Sequence, residues 1–199
     1  MGLITKEQTV SIPSGWDEIS VRKFQEIQLI DRESYDSQIL YMIDIISILA
    51  DIDKHIVCGI NISNLNTIAS NMMWIQKSVS TERVHNIEIG KDTYKWKGDF
   101  NSITVGEMVS LEQVIDLEEL SFSMTFDVIL AIFLRKVKPD GTLEEFKAEE
   151  FEANREKFSE LKITDVYGMI VFFSVGVTSS IKTIQDYSKE EQKKEKKNS

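Results

Sequence analysis

Apolar residues recur three and four positions apart over most of the chain, and this spacing predicts helices. Val21, Phe24 and Ile27 repeat behind Ser20, a good N-cap, so a first helix is expected over about 20–31. Tyr35, Ile39, Met42, Ile43, Ile46 and Leu49 predict a second helix over 34–51. Ile45, Ile48 and Ala50 widen its stripe, so burial on most sides is expected. A short turn over Asp53–Cys58 is closed by Gly59. Ser63 is placed to cap a helix over 64–78 whose seam is Leu65, Ile68, Met72, Ile75 and Val79. Thr104-Val105-Gly106-Glu107 is a capping box and opens a helix to about Ile115. Phe126, Ile129, Leu130, Phe133 and Val137 predict another over 122–137, and Pro139-Asp140-Gly141 breaks the chain after it. Phe146, Phe151 and Phe158 predict an acidic amphipathic helix over 144–160, and Thr164 caps a last long helix to about 188.

The period changes to two over 84–97. His85 to Ile89 alternates, Gly90-Lys91-Asp92 turns, and Thr93 to Lys97 alternates back, which is a hairpin. Ile87 and Ile89 share a face, as do Tyr94 and Trp96. A lone hairpin is marginal in water, so it is expected to pack on helices or to gain a strand. Residues 7–13 alternate and stop at Pro13, and the arm at 7–12 is the natural candidate for that strand. The expected fold is mainly α: one helical domain over 1–188, a small antiparallel β-hairpin inserted at 84–100, and a charged tail at 189–199.

Composition narrows the partners. Hydrophobic residues make up 42% of the 199 and charged residues 28%, an ordinary globular balance. Two prolines and nine glycines over this length favour long helices. The net charge of −10 argues against sequence-specific nucleic-acid binding, which needs clustered Lys and Arg. The tail holds five Lys and three Glu, a net of +2, so the body carries −12. With Cys58 alone, no disulfide forms within the chain, as expected for a reducing compartment. Met1 to Glu7 show no apolar signal core, so secretion is not expected. Residues 166–181 carry no charge but are shorter than the roughly 20 apolar residues of a membrane span. They are expected in the core or at a contact with another protein. Gly168 and Gly176 lie eight apart, close to two turns, and with Phe172 mark one face for close approach.

Candidate chemistry is sparse. His55 and Cys58 have a His-x-x-Cys spacing, but zinc needs three or four ligands and His85 is the only other histidine. Cys58 with His85 as base is a nucleophile pair in name only, since no motif flanks the thiol. Glu144, Glu145, Glu149, Glu150, Glu152, Glu156 and Glu160 alternate with Lys147, Arg155 and Lys157, the pattern of a solvated face. Gly106, Gly168 and Gly176 stand singly, and no glycine-rich phosphate loop is present. No residue is assigned a catalytic, cofactor-binding or metal-binding role, and the chain is expected to act by binding.

Three stretches together resemble a known class. They are Ile12-Pro13-Ser14-Gly15-Trp16-Asp17-Glu18-Ile19-Ser20-Val21 leading into Phe24 to Ile27; Phe100 with Ile103 to Glu112 and Ile129 to Phe133; and Asp165-Val166-Tyr167-Gly168-Met169-Ile170-Val171-Phe172-Phe173. In that order they resemble small helical proteins encoded among the structural genes of tailed bacteriophages, including crAss-like phages. The resemblance implies a non-enzymatic virion or tail-assembly protein, in the host cytoplasm during assembly or in the virion. Its partners would be other phage structural or assembly proteins, or further copies of itself. The alternatives are a tail-assembly chaperone absent from the mature particle and a soluble enzyme.

With two histidines and one cysteine, the purified chain is expected to bind no stoichiometric metal and to fold equally with and without chelator. Elemental analysis finding one zinc per chain overturns this.

Overall fold

A computed structural model describes residues 10–98, 102–114 and 125–173. The fold is mainly helical with one small antiparallel sheet, and its residues gather into two compact units. The first falls within Met1–Val79 and Glu160–Thr164, the second within Ser80–Ser159 and Asp165–Ser199. Residues 7–9, Gly176 and the 189–199 tail lie outside the described residues.

The first unit begins with a clasp. The Trp16 indole Nε1 donates to the Lys77 carbonyl at 2.7 Å, and Trp74 Nε1 donates to the Pro13 carbonyl at 2.9 Å. The two rings meet edge-on at 4.9 Å, and Phe24 closes on Trp16 at 5.4 Å. Helix α1 is Val21–Gln28, and Ser20 caps it by accepting from the Lys23 N–H, as its sequence predicts. The buried face is Val21, Phe24 and Ile27. The chain stops short of 31 because Asp31 caps a separate 3-10 turn at Arg32–Ser34. Helix α2, Gln38–Ala50, buries Ile43, Ile45, Ile46 and Leu49 but leaves Ile39 and Leu40 about half exposed, so burial does not extend around most of its circumference. It ends at Asp51 in the left-handed region (φ 54°), which Asp tolerates better than most residues. Helix α3 is Lys54–Cys58, capped by Asp53. Helix α4 is Ile62–Asn71, and Asn61, not Ser63, caps it by accepting from the Asn64 N–H. The seam expected to 78 breaks after Asn71 into a 3-10 turn at Met73–Gln76, which turns Trp74 inward. The segment Glu160–Thr164 pairs with the start of α1: Val21 N–H donates to Leu161 and Ile163 N–H to Ile19, both at 2.8 Å.

The second unit holds the hairpin, with β1 at Asn86–Ile89 and β2 at Asp92–Trp96. Gly90 sits at φ 64°, as the first position of a two-residue type II′ turn requires. Among the described residues, its third strand does not come from the arm. Residues 10–13 form no strand, and β2 pairs instead with β3, Leu134–Lys136. Helix α5, Val105–Val114, follows the capping box as expected. The helix expected over 122–137 divides instead into α6, Phe126–Phe133, and β3; α6 ends where Lys97 N–H takes the Phe133 carbonyl at 2.8 Å. Val137 N–H then donates to Thr93, and Pro139-Asp140-Gly141 turns the chain back with Gly141 at φ 83°. Residues 142–147 run beside β3, with Glu144 N–H on the Lys136 carbonyl, so the helix expected from 144 begins only at Phe151. That helix, α7, is Phe151–Ser159. Residues 163–173 form α8, which includes Thr164 inside its first turn rather than as its cap.

The core of this unit is aromatic. Every residue of α6 but Asp127 is buried. Phe173 stacks on Phe133 at 4.7 Å and on Trp96 at 5.3 Å, and Tyr94 meets Phe158 edge-on at 5.4 Å. Gly168 is where the backbone comes close: a Cβ there would collide with the Glu82 and Thr81 carbonyl oxygens. One turn on, the Arg83 guanidinium lies 4.3 Å over the Phe172 ring.

Trp96→Ala is expected to cost about 3–5 kcal/mol in denaturant unfolding, the range for a buried aromatic. Gly168→Ala is expected to cost about 1–3 kcal/mol, because the obstructing atoms are backbone and cannot rotate away. Parent-like unfolding of both variants would contradict this packing.

Candidate functional site

The most developed polar arrangement lies in the second unit and starts from the capping box. Glu107 N–H donates to Thr104 Oγ1 at 3.2 Å, and Thr104 N–H donates back to Glu107 Oε2 at 2.7 Å, which satisfies the first turn of α5 reciprocally. Thr104 Oγ1 also lies 3.1 Å from Glu107 Oε2. The carboxylate is buried, with 2% of its side chain exposed. A buried carboxylate must be paired, and two cations do this. Lys97 Nζ lies 2.6 Å from Oε2, and Arg135 Nη2 lies 2.9 Å from Oε1. Lys97 stands just after β2 and Arg135 within β3, so the sheet aims both cations at one helix start.

Arg135 has a second task. Its Nη1 donates to the Ala131 carbonyl at 3.0 Å, in the last turn of α6, and its plane lies 5.1 Å over Phe146. An anion at the first turn of α5 thus joins a cation at the last turn of α6, and each sign suits its helix end. Burial pushes the Glu107 carboxyl upward, but hydrogen bonds from Lys97, the Thr104 N–H and Arg135 outweigh it and hold the group below its ordinary value. A carboxylate with both oxygens engaged and its acidity raised is a poor general base.

Two cavities flank Arg135. One of about 450 Å³ is lined by Lys97, Glu107, Leu143 and Phe146 among others. The other, about 330 Å³, is lined by Tyr94, Lys136, Glu144, Lys147 and Lys157. In the second, Lys157 Nζ donates to the Tyr94 hydroxyl at 2.9 Å and lies 4.6 Å from the centre of the Phe158 ring. Lys136 pairs with Asp92 and Lys147 with Glu150. These charges mostly answer one another across the unit.

The residues considered from sequence lie elsewhere. His55 is exposed and its Nδ1 sits 2.9 Å from Asp53 Oδ1, within the α3 cap. Cys58 is exposed in the first unit, and His85 is exposed in the second. Among the described residues, no group of three or more His, Cys, Asp or Glu is placed to hold a metal ion, and no helix is long and apolar enough to cross a membrane. The acidic stretch divides: Glu144 and Glu145 line the smaller cavity, Glu150 pairs with Lys147, Glu152 with Arg155, and Glu160 with Arg22. Arg135 and Lys97 were not singled out from sequence. The available signal was Arg135 itself, a cation directly after an apolar run at 128–134. The chain matches no known protein family, no characterised protein and no solved structure.

Glu107→Gln is expected to cost about 3–5 kcal/mol at neutral pH, because it leaves two cations facing an uncharged amide in the interior. Folding holds the Glu107 carboxyl below its ordinary value of 4.5, so its contribution is present above that pH and is lost as pH falls through the folded value. The stability gap between parent and variant is therefore expected to narrow below about pH 4.5, read by urea unfolding across pH. A gap independent of pH would show that the charge of Glu107 does not matter.

Proposed function

We propose that the protein is a non-enzymatic component of the virion or of the tail-assembly machinery of a tailed bacteriophage, acting through contacts with other proteins. The observation that supports this is the outer side of α5. Val105 is 82% exposed and Val109, one turn on, is 43% exposed. They stand on a helix whose first turn is held by the Glu107, Arg135 and Lys97 cluster. An apolar pair on a fixed helix binds a partner groove without first having to be ordered. The phage setting comes from the resemblance of the three sequence stretches, and the acidic balance of −10 suits protein partners better than nucleic acid.

The test is to quantify the chain by mass spectrometry in intact particles, and in assembly intermediates, from a host that produces it. Its presence in particles supports a virion component. Presence in intermediates alone assigns it to an assembly chaperone, and absence from both overturns the proposal. A Val105→Asp, Val109→Asp double variant is expected to keep the parent's melting temperature and to fall at least about tenfold in incorporation, the effect of losing one good contact. Incorporation at the parent level would move the contact away from α5.

A further inference from the structure

The outer edge of the sheet points to a second association, independent of any phage setting. Among the described residues the sheet runs in the order β1-β2-β3, so β1 is its edge strand there. Its register with β2 fixes which way each residue turns. Val137 N–H reaches Thr93 and Lys97 N–H reaches Phe133, so Thr93 and Lys97 turn their main-chain groups toward β3. By alternation Asp92 and Tyr94 turn theirs toward β1, and their partners Ile89 and Ile87 are the residues that answer them. Asn86 and Glu88 therefore point their N–H and C=O groups away from the sheet. Neither residue's main chain meets a partner there among the described residues, and both are exposed.

Edges are guarded by shortness, charge, proline or a bulge; β1 is short and carries Glu88, but Asn86-Ile87-Glu88-Ile89 has no proline, lysine or bulge. We propose that β1 is a self-association edge, where two copies of this chain join their sheets through an antiparallel β1–β1 pair centred on Ile87. The choice of a second copy rests on the strand's own pattern. An antiparallel pair needs outward residues opposite outward residues. Centring on Ile87 sets Asn86 opposite the partner's Glu88, and Glu88 opposite the partner's Asn86, so both outward residues of each strand are used. A register centred on Glu88 stacks two carboxylates, and one centred on Asn86 leaves Glu88 beyond the partner strand. In the Ile87 register the exposed row reads Lys95, Asn86, the partner's Glu88, the partner's Thr93, so no like charges meet. Ile87, 5% exposed on the core face, meets its own counterpart.

The test is sedimentation of the full chain over a range of concentrations, with expected masses rising from 22.9 kDa toward twice that value. Glu88→Pro removes an N–H that points away from β2 and leaves the intramolecular ladder intact, so this variant is expected to keep the parent's melting temperature and to stay monomeric. Cross-linking gives an independent reading in a Cys58→Ser background. A mixture of Asn86→Cys chains with Glu88→Cys chains is expected to form a disulfide dimer on oxidation, because opposed hydrogen-bonded residues lie about 5.5 Å apart at Cα. Either variant alone is expected to cross-link weakly. The proposal is overturned if the parent is monomeric at every concentration, if folded Glu88→Pro dimerises like the parent, or if either cysteine variant alone cross-links as well as the mixture. Should Glu88→Pro fail to fold, the cross-linking comparison decides by itself.

Discussion

One buried carboxylate organises the second unit. Glu107 cannot be left unpaired in the interior without a penalty of several kcal/mol, so every element that supplies it a donor is fixed relative to the others. Thr104 fixes the start of α5, Lys97 fixes the chain leaving β2, and Arg135 fixes β3. Arg135 passes the constraint on to α6 through the Ala131 carbonyl. Apolar residues of the same volume would often serve stability as well or better, so the ion pairs are better understood as setting register than as adding strength. A helix start, a helix end and a strand meet at one point, and aromatic packing fills the space around it.

How much of this was legible in the sequence follows from where each cause lies. Ser20, the Thr104 to Glu107 box and Gly90 act within four residues of themselves, and each appears where its pattern placed it. The break between Phe133 and Leu134 has a distant cause. A run of Val, Ile, Leu, Ala and Phe suits a buried helix and a buried strand equally, and periodicity does not separate them. The decision comes from β2, forty residues earlier, whose open edge offers the Thr93 carbonyl and the Lys97 N–H. The same edge extends the influence onward, since residues 142–147 lie beside β3 instead of starting α7. In the first unit two good N-caps, Asn61 and Ser63, stand two residues apart, and the one that begins the helix earlier prevails.

The stretches that carry the phage resemblance turn out to be joints of the fold. Pro13 and Trp16 belong to the indole clasp, and Ile19 to Val21 receive the returning segment at Leu161 and Ile163. Thr104 to Glu107 form the buried cluster's helix start, and Gly168 with Phe172 hold the backbone at 81–83. Stretches of this kind bear on surfaces only through the elements they position.

That separation between joints and surfaces bears on how the chain can act. The groups with the richest chemistry, Glu107 and Arg135, face inward and are engaged with each other. Among the described residues, two outward-facing groups of the same unit are of a different kind: valine side chains on α5 and main-chain amides on β1. Both kinds are suited to contact with another polypeptide, one by apolar packing and the other by strand pairing. Both sit on regular elements rather than on loops, and α5 is held by the buried ion pairs while β1 is held by its ladder to β2. Because the ordering cost is met when the chain folds, modest contact areas suffice for association. The buried cluster therefore holds still the short helix that presents the two exposed valines.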